Sequence, residues 1–464
     1  MTRFWRRRNR SHGSARLNHA GTNGYHRSAI RCVAMLSCAV LVSAPALAGE
    51  SAFGGGYILS RESNPTGTST GARQDTSNAV FAGIAYGEHT IDLNAQFLAQ
   101  VEKRAFLTND NLDDTHIYLD GTGVWTISPQ LLFWTAEASR RDARVDITRV
   151  DSPTNRTQVS SLHTGPDVNF RFGSTDSSAV GARLGRLDSD ATGTTDSLSA
   201  YARLLHRMSE QSTLSLNYEA LRAEFAGGST FRPSSTRADL FARFETRPLP
   251  NSFALDIGST TVTREGAESL SGRLVQVTAA RQFTPESALR ATYTSQYSDT
   301  FTDMLRAISR PTIPGDAVLL PGVDVLTADF YYNKRGELLY SDDNGRFVYA
   351  LRASARNVDY QTLNLDFKEQ GGRIDWLWRY SGFTHLYAMA RYLKREFQDF
   401  YQKDVDRETI LGVRLNVNQN ISISLEGGRM THESTAPPGD ISNSRVMLLL
   451  GYSTGPLYTA RSRR

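Results

Sequence analysis

Most of this chain alternates apolar with polar residues, and nine short turns punctuate the alternation. The turn signals centre near Gly87, Pro129, Thr175, Glu210, Leu249, Pro285, Asp343, Gly382 and Gln419, at intervals of 35 to 58 residues. Each interval reads as strand, wetter connection, strand, so the cadence predicts one very large antiparallel sheet. Long open edges invite aggregation, and a sheet of this size must close on itself or split.

The two faces are clearest late in the chain. Leu411, Val413, Leu415 and Val417 form one, and Gly412, Arg414, Asn416 and Asn418 the other. Past the Gln419 turn, Ile421, Ile423 and Leu425 oppose Ser422, Ser424 and Glu426. Ile374, Trp376, Trp378 and Tyr380 oppose Arg373, Asp375 and Arg379, with Leu377 the one interruption. Period two with one apolar side means a sheet with one dry face and one wet face. The runs at 198–208, 213–225, 346–356 and 408–417 exceed the roughly five or six residues of soluble strands. They match the roughly nine to eleven that a tilted strand needs to cross a bilayer.

Aromatic residues gather beside the short turns: Tyr86, Phe133, Trp134, Phe172, Phe244, Phe253, Phe283, Tyr380, Phe383 and Tyr452. A second group, Phe106, Phe225, Tyr297, Tyr360, Phe397, Phe400 and Tyr401, sits at the far strand ends. Together they predict two interfacial girdles. Nine turns on one side imply ten hairpins. The expected fold is therefore all-β, a single antiparallel transmembrane β-barrel of about 20 strands (18 the next choice), with short periplasmic turns and longer extracellular loops. Both termini then lie on the short-turn side. The longer, polar connections fall at 63–75, 144–160, 226–235 and 299–326. The last contains Arg310-Pro311 and an apolar patch at 317–320; a connection of that length is either functional or disordered, and the functional form expected is a plug or gate. A β-propeller would need two further strands per interval, and a soluble sandwich would not need strands this long.

Mean hydropathy is −0.39, and no stretch after residue 48 is apolar for long enough to make a membrane-spanning helix. Residues 1–48 read as a secretory signal peptide: eight arginines and no acidic residue, an apolar run from Cys32 to Val42, then Ala46-Leu47-Ala48. Its removal takes the basic residues from 52 to 44 against 48 acidic ones, so the formal charge moves from +4 to −4. The basic balance thus belongs to the export signal, and no nucleic-acid partner is expected. Both cysteines leave as well, so disulfides are not expected. Residues 49–454 are then the barrel and residues 455–464 a basic tail ending Arg461-Ser462-Arg463-Arg464.

On the polar face lie the lumen-lining candidates Arg171, Arg183, Arg203, Arg243, Arg290, Arg352, Arg373, Asp375, Arg379, Arg391, Arg414 and Glu426. Asp239, Glu245 and Asp256 share that face. Two readings stand: a basic-lined channel that attracts anionic solutes, or a salt-bridged wall. The histidines after residue 48 (His89, His116, His163, His206, His385 and His432) are scattered singly. No nucleophile motif or metal-ligand spacing accompanies them, so no catalytic residue, metal or cofactor is expected. The carboxylate runs at 110–114 and 188–190 lack the spacing of a calcium loop.

Three stretches carry a family resemblance: Trp125-Thr126-Ile127-Ser128-Pro129-Gln130-Leu131-Leu132-Phe133-Trp134, Thr164-Gly165-Pro166-Asp167, and residues 205–218 from Leu205-His206-Arg207-Met208 to Leu216-Asn217-Tyr218. Over most of residues 52–454 the chain resembles the outer-membrane β-barrel porins associated with exosortase (PEP-CTERM) and extracellular polysaccharide systems. The resemblance implies a porin-type protein of the cell outer membrane, serving polysaccharide production or export, and carries over no catalytic residue. One departure is the C-terminus: such barrels usually finish on an aromatic, whereas here Tyr452 precedes the basic tail. The function expected is a non-enzymatic channel. Its expected partners are outer-membrane lipid, the barrel assembly machinery, and anionic polysaccharide or small solutes. The alternatives are a non-conducting structural barrel of an envelope assembly complex and a lipid- or glycan-modifying barrel enzyme.

Overall fold

The computed structural model describes residues 49–455, apart from 192, 226–233, 267, 300–329, 362 and 438. The expected signal peptide, most of the 226–235 connection, the expected plug beyond Asp299 and the tail beyond residue 455 lie outside the described residues.

Twenty strands follow one another: β1 Glu50–Glu62, β2 Asp75–His89, β3 Leu93–Phe106, β4 Asp114–Ser128, β5 Leu132–Arg144, β6 Arg156–Arg171, β7 Asp176–Ser189, β8 Gly193–Arg207, β9 Ser212–Phe225 and β10 Ser235–Thr246. The second half is β11 Asn251–Arg264, β12 Leu270–Gln282, β13 Ser287–Asp299, β14 Phe330–Asp343, β15 Phe347–Tyr360, β16 Phe367–Arg379, β17 Thr384–Phe397, β18 Lys403–Asn416, β19 Ile421–Ser434 and β20 Ile441–Ser453. Each strand pairs antiparallel with the next. β1 also pairs with β20, from Gly54↔Ser453 to Glu62↔Arg445, which closes the sheet into a barrel. Strands spaced about 4.8 Å apart and tilted about 40° put the backbones of such a barrel about 40 Å apart across the bore.

The short turns share one end of the barrel with the start of β1 and the end of β20. Side chains lock several of them: Asn418 accepts the backbone N–H groups of Asn420 and Ile421, and Asn344 accepts that of Phe347. Gly87 does not mark a turn. It lies inside β2 opposite Glu50, and the chain reverses at 90–92, where the Thr90 hydroxyl accepts the Leu93 N–H. A glycine on the wall's inner face imitates a turn signal in sequence.

Alternate residues of each strand face outward, and near the short turns these are apolar and exposed: Leu411, Leu415, Leu425, Val446, Leu450 and Tyr452 among them. Phe347 stacks on Trp376 and Trp378, and Tyr380 meets Trp378 edge-on, across this outer wall. A closed sheet with a wet interior and an exposed apolar band is the solution that a bilayer demands. Further from the turns the outward positions become charged, as at Arg186, Arg222, Glu224, Lys394, Glu396, Arg407 and Arg429. The strands therefore run past the apolar band. Lys403–Asn416 and Phe347–Tyr360 both extend beyond the runs that alternation marks, because alternation registers only the stretch facing lipid.

The far aromatic group divides. Tyr297 takes an outward position, and Phe400 and Tyr401 lie in the 398–402 connection, whereas Phe106, Tyr360 and Phe397 point inward. Near the turns, Phe133 likewise faces inward beside Trp134. The expected second girdle is thus partly an aromatic shelf inside the barrel.

Candidate functional site

β4 pairs with β3 as far as Arg104↔Asp114, but with β5 only as far as Leu119↔Arg140. On the other side, β6 first meets β7 at Val159↔Ser189, while β5 and β6 stay paired out to Arg144↔Arg156. The tip of the β5–β6 hairpin has therefore left the wall, and its contacts show where it goes. Asp142 lies against the inner side of β4, 3.0 Å from His116 Nδ1 and accepting the Tyr118 hydroxyl at 3.2 Å. The connection at 145–155 continues across the bore to the opposite wall. There Gln402 donates to the Thr148 carbonyl at 3.0 Å and Arg395 to the Ile147 carbonyl at 3.4 Å.

The crossing segment is braced from within. Asn155 donates to the carbonyls of Asp146 and Val150, and its own oxygen accepts the Asp146 N–H. The Asp146 carboxylate accepts the Thr148 N–H and hydroxyl. Ile147, only 2 % exposed, seats on the aromatic shelf of Tyr331, Val358, Phe367 and Phe397. Arg395 lies over the Phe367 ring and pairs with Glu369 at 2.5 Å. On the hairpin's other flank, Val150 packs so closely on Gly67 that a Cβ there would come within 2.9 Å of it. Gly67 also has φ +65°, where side chains are strained.

Arginines from adjacent strands stand directly opposite one another on the wall facing the hairpin. Arg352 on β15 opposes Arg373 on β16, and Arg373 opposes Arg391 on β17. Like charges in facing positions repel, and each has a carboxylate to offset this. Arg352 lies 3.4 Å from Glu337, Arg373 holds Asp375 with two bonds of 2.6 Å, and Arg391 lies 3.4 Å from Glu408. The hairpin brings its own charges to this row. Burial pushes the Asp151 carboxyl up, but the guanidiniums of Arg156 and Arg144, with Arg391 across the bore, hold it well below the usual carboxylate range.

The remaining candidates are spread round the lumen rather than gathered. Arg183 pairs with Asp167 at 2.5 Å, and Tyr201 donates to the same carboxylate. Arg203 donates to Asn217 at 2.8 Å, and Arg243 grips Asp256 with two bonds of 2.7 Å. Arg379 pairs with Asp343 at 2.7 Å near the short-turn rim, and Glu426 accepts from Tyr387 and Arg445. Arg171 and Arg290 are exposed on the inner face, and Arg414 is half-buried there. The residues that hold the hairpin (Arg395, Gln402, Ile147 and Asn155) are absent from the candidate set. Their signal was slight: Ile147 and Val150 are β-branched apolar residues inside a polar connection, and such residues need cover.

Among the described residues no cluster of His, Cys, Asp and Glu has the arrangement of a metal site. The fold and the site together define a class: a transmembrane β-barrel whose bore is narrowed by an inward hairpin facing an arginine row. No family model matches the chain, and no curated protein matches it. Among solved structures it is similar to a ferric enterobactin receptor of Pseudomonas aeruginosa in complex with enterobactin. That likeness has 11% identity and a TM-score of 0.46, and covers 87% of this chain and 81% of that one. It is also similar to OccK2 of P. aeruginosa in complex with glucuronate, at 10% identity, TM-score 0.39, 88% of this chain and 98% of that one. The outer membrane protein OpdK of the same organism matches at 10% identity, TM-score 0.37, 87% of this chain and 99% of that one.

Proposed function

We propose that the chain is an outer-membrane channel, exported by its signal peptide, with short turns in the periplasm and long connections outside. The observation that carries this reading is the β5–β6 hairpin crossing the bore to face Arg352, Arg373 and Arg391. A structural barrel has no need of an internal crossing, whereas a channel uses one to set bore size and to put fixed charge where solute must pass. The cargo proposed is anionic, from small solutes to acidic polysaccharide segments, in the service of extracellular polysaccharide production or export. Purified protein in a planar bilayer under a salt gradient tests the reading. It should show a stable open level with anion preference, and replacing Arg352, Arg373 and Arg391 together by glutamine should move the reversal potential toward cation preference. Absence of any open level would favour the non-conducting scaffold instead. Loss of exported polysaccharide on deleting the gene, restored by the wild-type chain, tests the cargo.

A further inference from the structure

The outer wall beyond the apolar band carries charge, and the charge is not evenly spread. Over β14–β19 one register row of outward positions runs Lys334↔Asn357↔Lys368↔Glu396↔Lys403. Below it on the same face lie Lys394, Arg407 and Arg429. Six cations, Lys334, Lys368, Lys394, Lys403, Arg407 and Arg429, thus meet three outward carboxylates, Asp359, Glu396 and Glu433, an excess of +3 (6 − 3). Over β7–β9 the same level carries Arg186 and Arg222 against Asp188, Asp196 and Glu224, which leaves no cationic excess. Carboxylates at the neighbouring loop tips are turned to backbone: Asp366 accepts the Tyr360 N–H, Asp399 the Asp366 N–H, and Asp440 the Ser434 N–H.

Height decides what such a patch meets. From Val417, just past the end of β18, back to Thr409 the outward residues are apolar or small, and the cations Arg407 and Lys403 follow. Eight residues of tilted strand rise roughly 20 Å, close to the apolar band of about 25 Å that barrels present to lipid. Tyr392, exposed on the outer face opposite Arg407, marks the boundary. The lysines of the upper row alternate strands, so neighbours lie roughly 10 Å apart at the level of lipid headgroups. Three lysines pointing away from the bore serve no solute inside it.

We propose that the outer wall of β14–β19 binds the phosphorylated headgroup of an anionic glycolipid in the surrounding leaflet. The upper lysine row meets its phosphates, and the apolar band below meets its acyl chains. The inference rests on the reading that this end of the barrel faces the outside of an outer membrane, but it does not depend on conduction.

The test is binding of bis-phosphorylated lipid A to the detergent-solubilised full chain, measured by native mass spectrometry, with intact folding checked by heat-modifiable gel migration. Each surface lysine is worth about fivefold, so K334Q/K368Q/K403Q should weaken lipid A binding about a hundredfold. R186Q/R222Q on the opposite sector should leave it unchanged. Equal loss in both variants, no loss in the lysine variant, or equal binding of a neutral glycolipid would overturn the proposal. Inorganic phosphate displacing lipid A at comparable concentration would overturn it too, by showing a free-anion site. A barrel that binds lipid A through this row yet never conducts would refute the channel and leave this surface standing.

Discussion

Shortening Ile147 to alanine strips the hairpin tip of its apolar anchor on the far wall, while Val150 keeps its packing on Gly67. The side chain is 2 % exposed and sits among Tyr331, Val358, Phe367 and Phe397. Truncating a fully buried isoleucine costs about 3 kcal/mol, with part of that in the cavity left behind. The wall strands do not depend on this contact, so the cost falls on the docked state of the tip rather than on the barrel. A shift of about 3 kcal/mol changes the ratio of docked to undocked tip by about a hundredfold. The polar ties through Gln402 and Arg395 remain, and the tip should therefore visit the undocked state rather than stay there. Single-channel recording in planar bilayers reads this directly, as brief excursions to a larger conductance that the wild type lacks. Leu411→Ala on the outer face, where the side chain is 61% exposed, serves as the matched control and should leave the trace quiet. Wild-type noise in the Ile147 variant, with heat-modifiable migration intact, would show that the hairpin does not control the bore.

Leu411→Arg, by contrast, puts a charge in the middle of the apolar band and should destabilise the folded barrel by about 2–4 kcal/mol in urea titrations into lipid vesicles; no change would mean that this face does not meet lipid. Arg395→Ala leaves Glu369, half-buried beside the aromatic shelf, without its partner at 2.5 Å. A local cost of about 3–5 kcal/mol is expected, visible as faster hydrogen exchange of the 145–155 amides. Asp151 supplies a pH dependence of known sign. Its folded pKa lies below the unfolded value, so its contribution is complete above about pH 4 and is lost as the pH falls toward the folded pKa. Arg156 and Arg144 belong to the hairpin itself, so only the smaller share from Arg391 acts on docking, and open-state noise should stay flat on this account from pH 8 to 5 and rise only in stronger acid. Asp151→Asn should already show the weakened docking at pH 7.

The wall was legible because a period of two survives wherever one face meets lipid. Leu411 to Val417 and Ile374 to Tyr380 fix the face and the strand at once, and eight of the nine turn signals fall in or next to real turns. Gly87 misled because a small residue on the inner wall carries the same local signature as a turn. Phe106, Tyr360 and Phe397 misled for a related reason: composition places an aromatic at a strand end, but only parity says on which side. The hairpin crossing was not legible at all. Residues 144–160 read as a polar connection whether the ribbon stands out from the rim or folds into the bore. What decides is a set of partners such as Arg395 and Gln402, hundreds of residues along the chain. The length of the 299–326 connection pointed there instead, and beyond Asp299 it lies outside the described residues.

The tie between Ile147 and Arg395 spans 248 residues of chain. Contacts of such separation form late, since the intervening loop must first be closed. The hairpin can meet β4 and Gly67 early, but the seat for Ile147 and the ties through Arg395 and Gln402 exist only once the strands from β14 onward have taken their places in the sheet. Until then the crossing is incomplete, and the narrowing it makes arrives as one of the last events of assembly. In a barrel that conducts as proposed, any lesion that delays the C-terminal third of the chain, however far from the crossing, should leave the membrane with a leak before it leaves it with a misfolded protein.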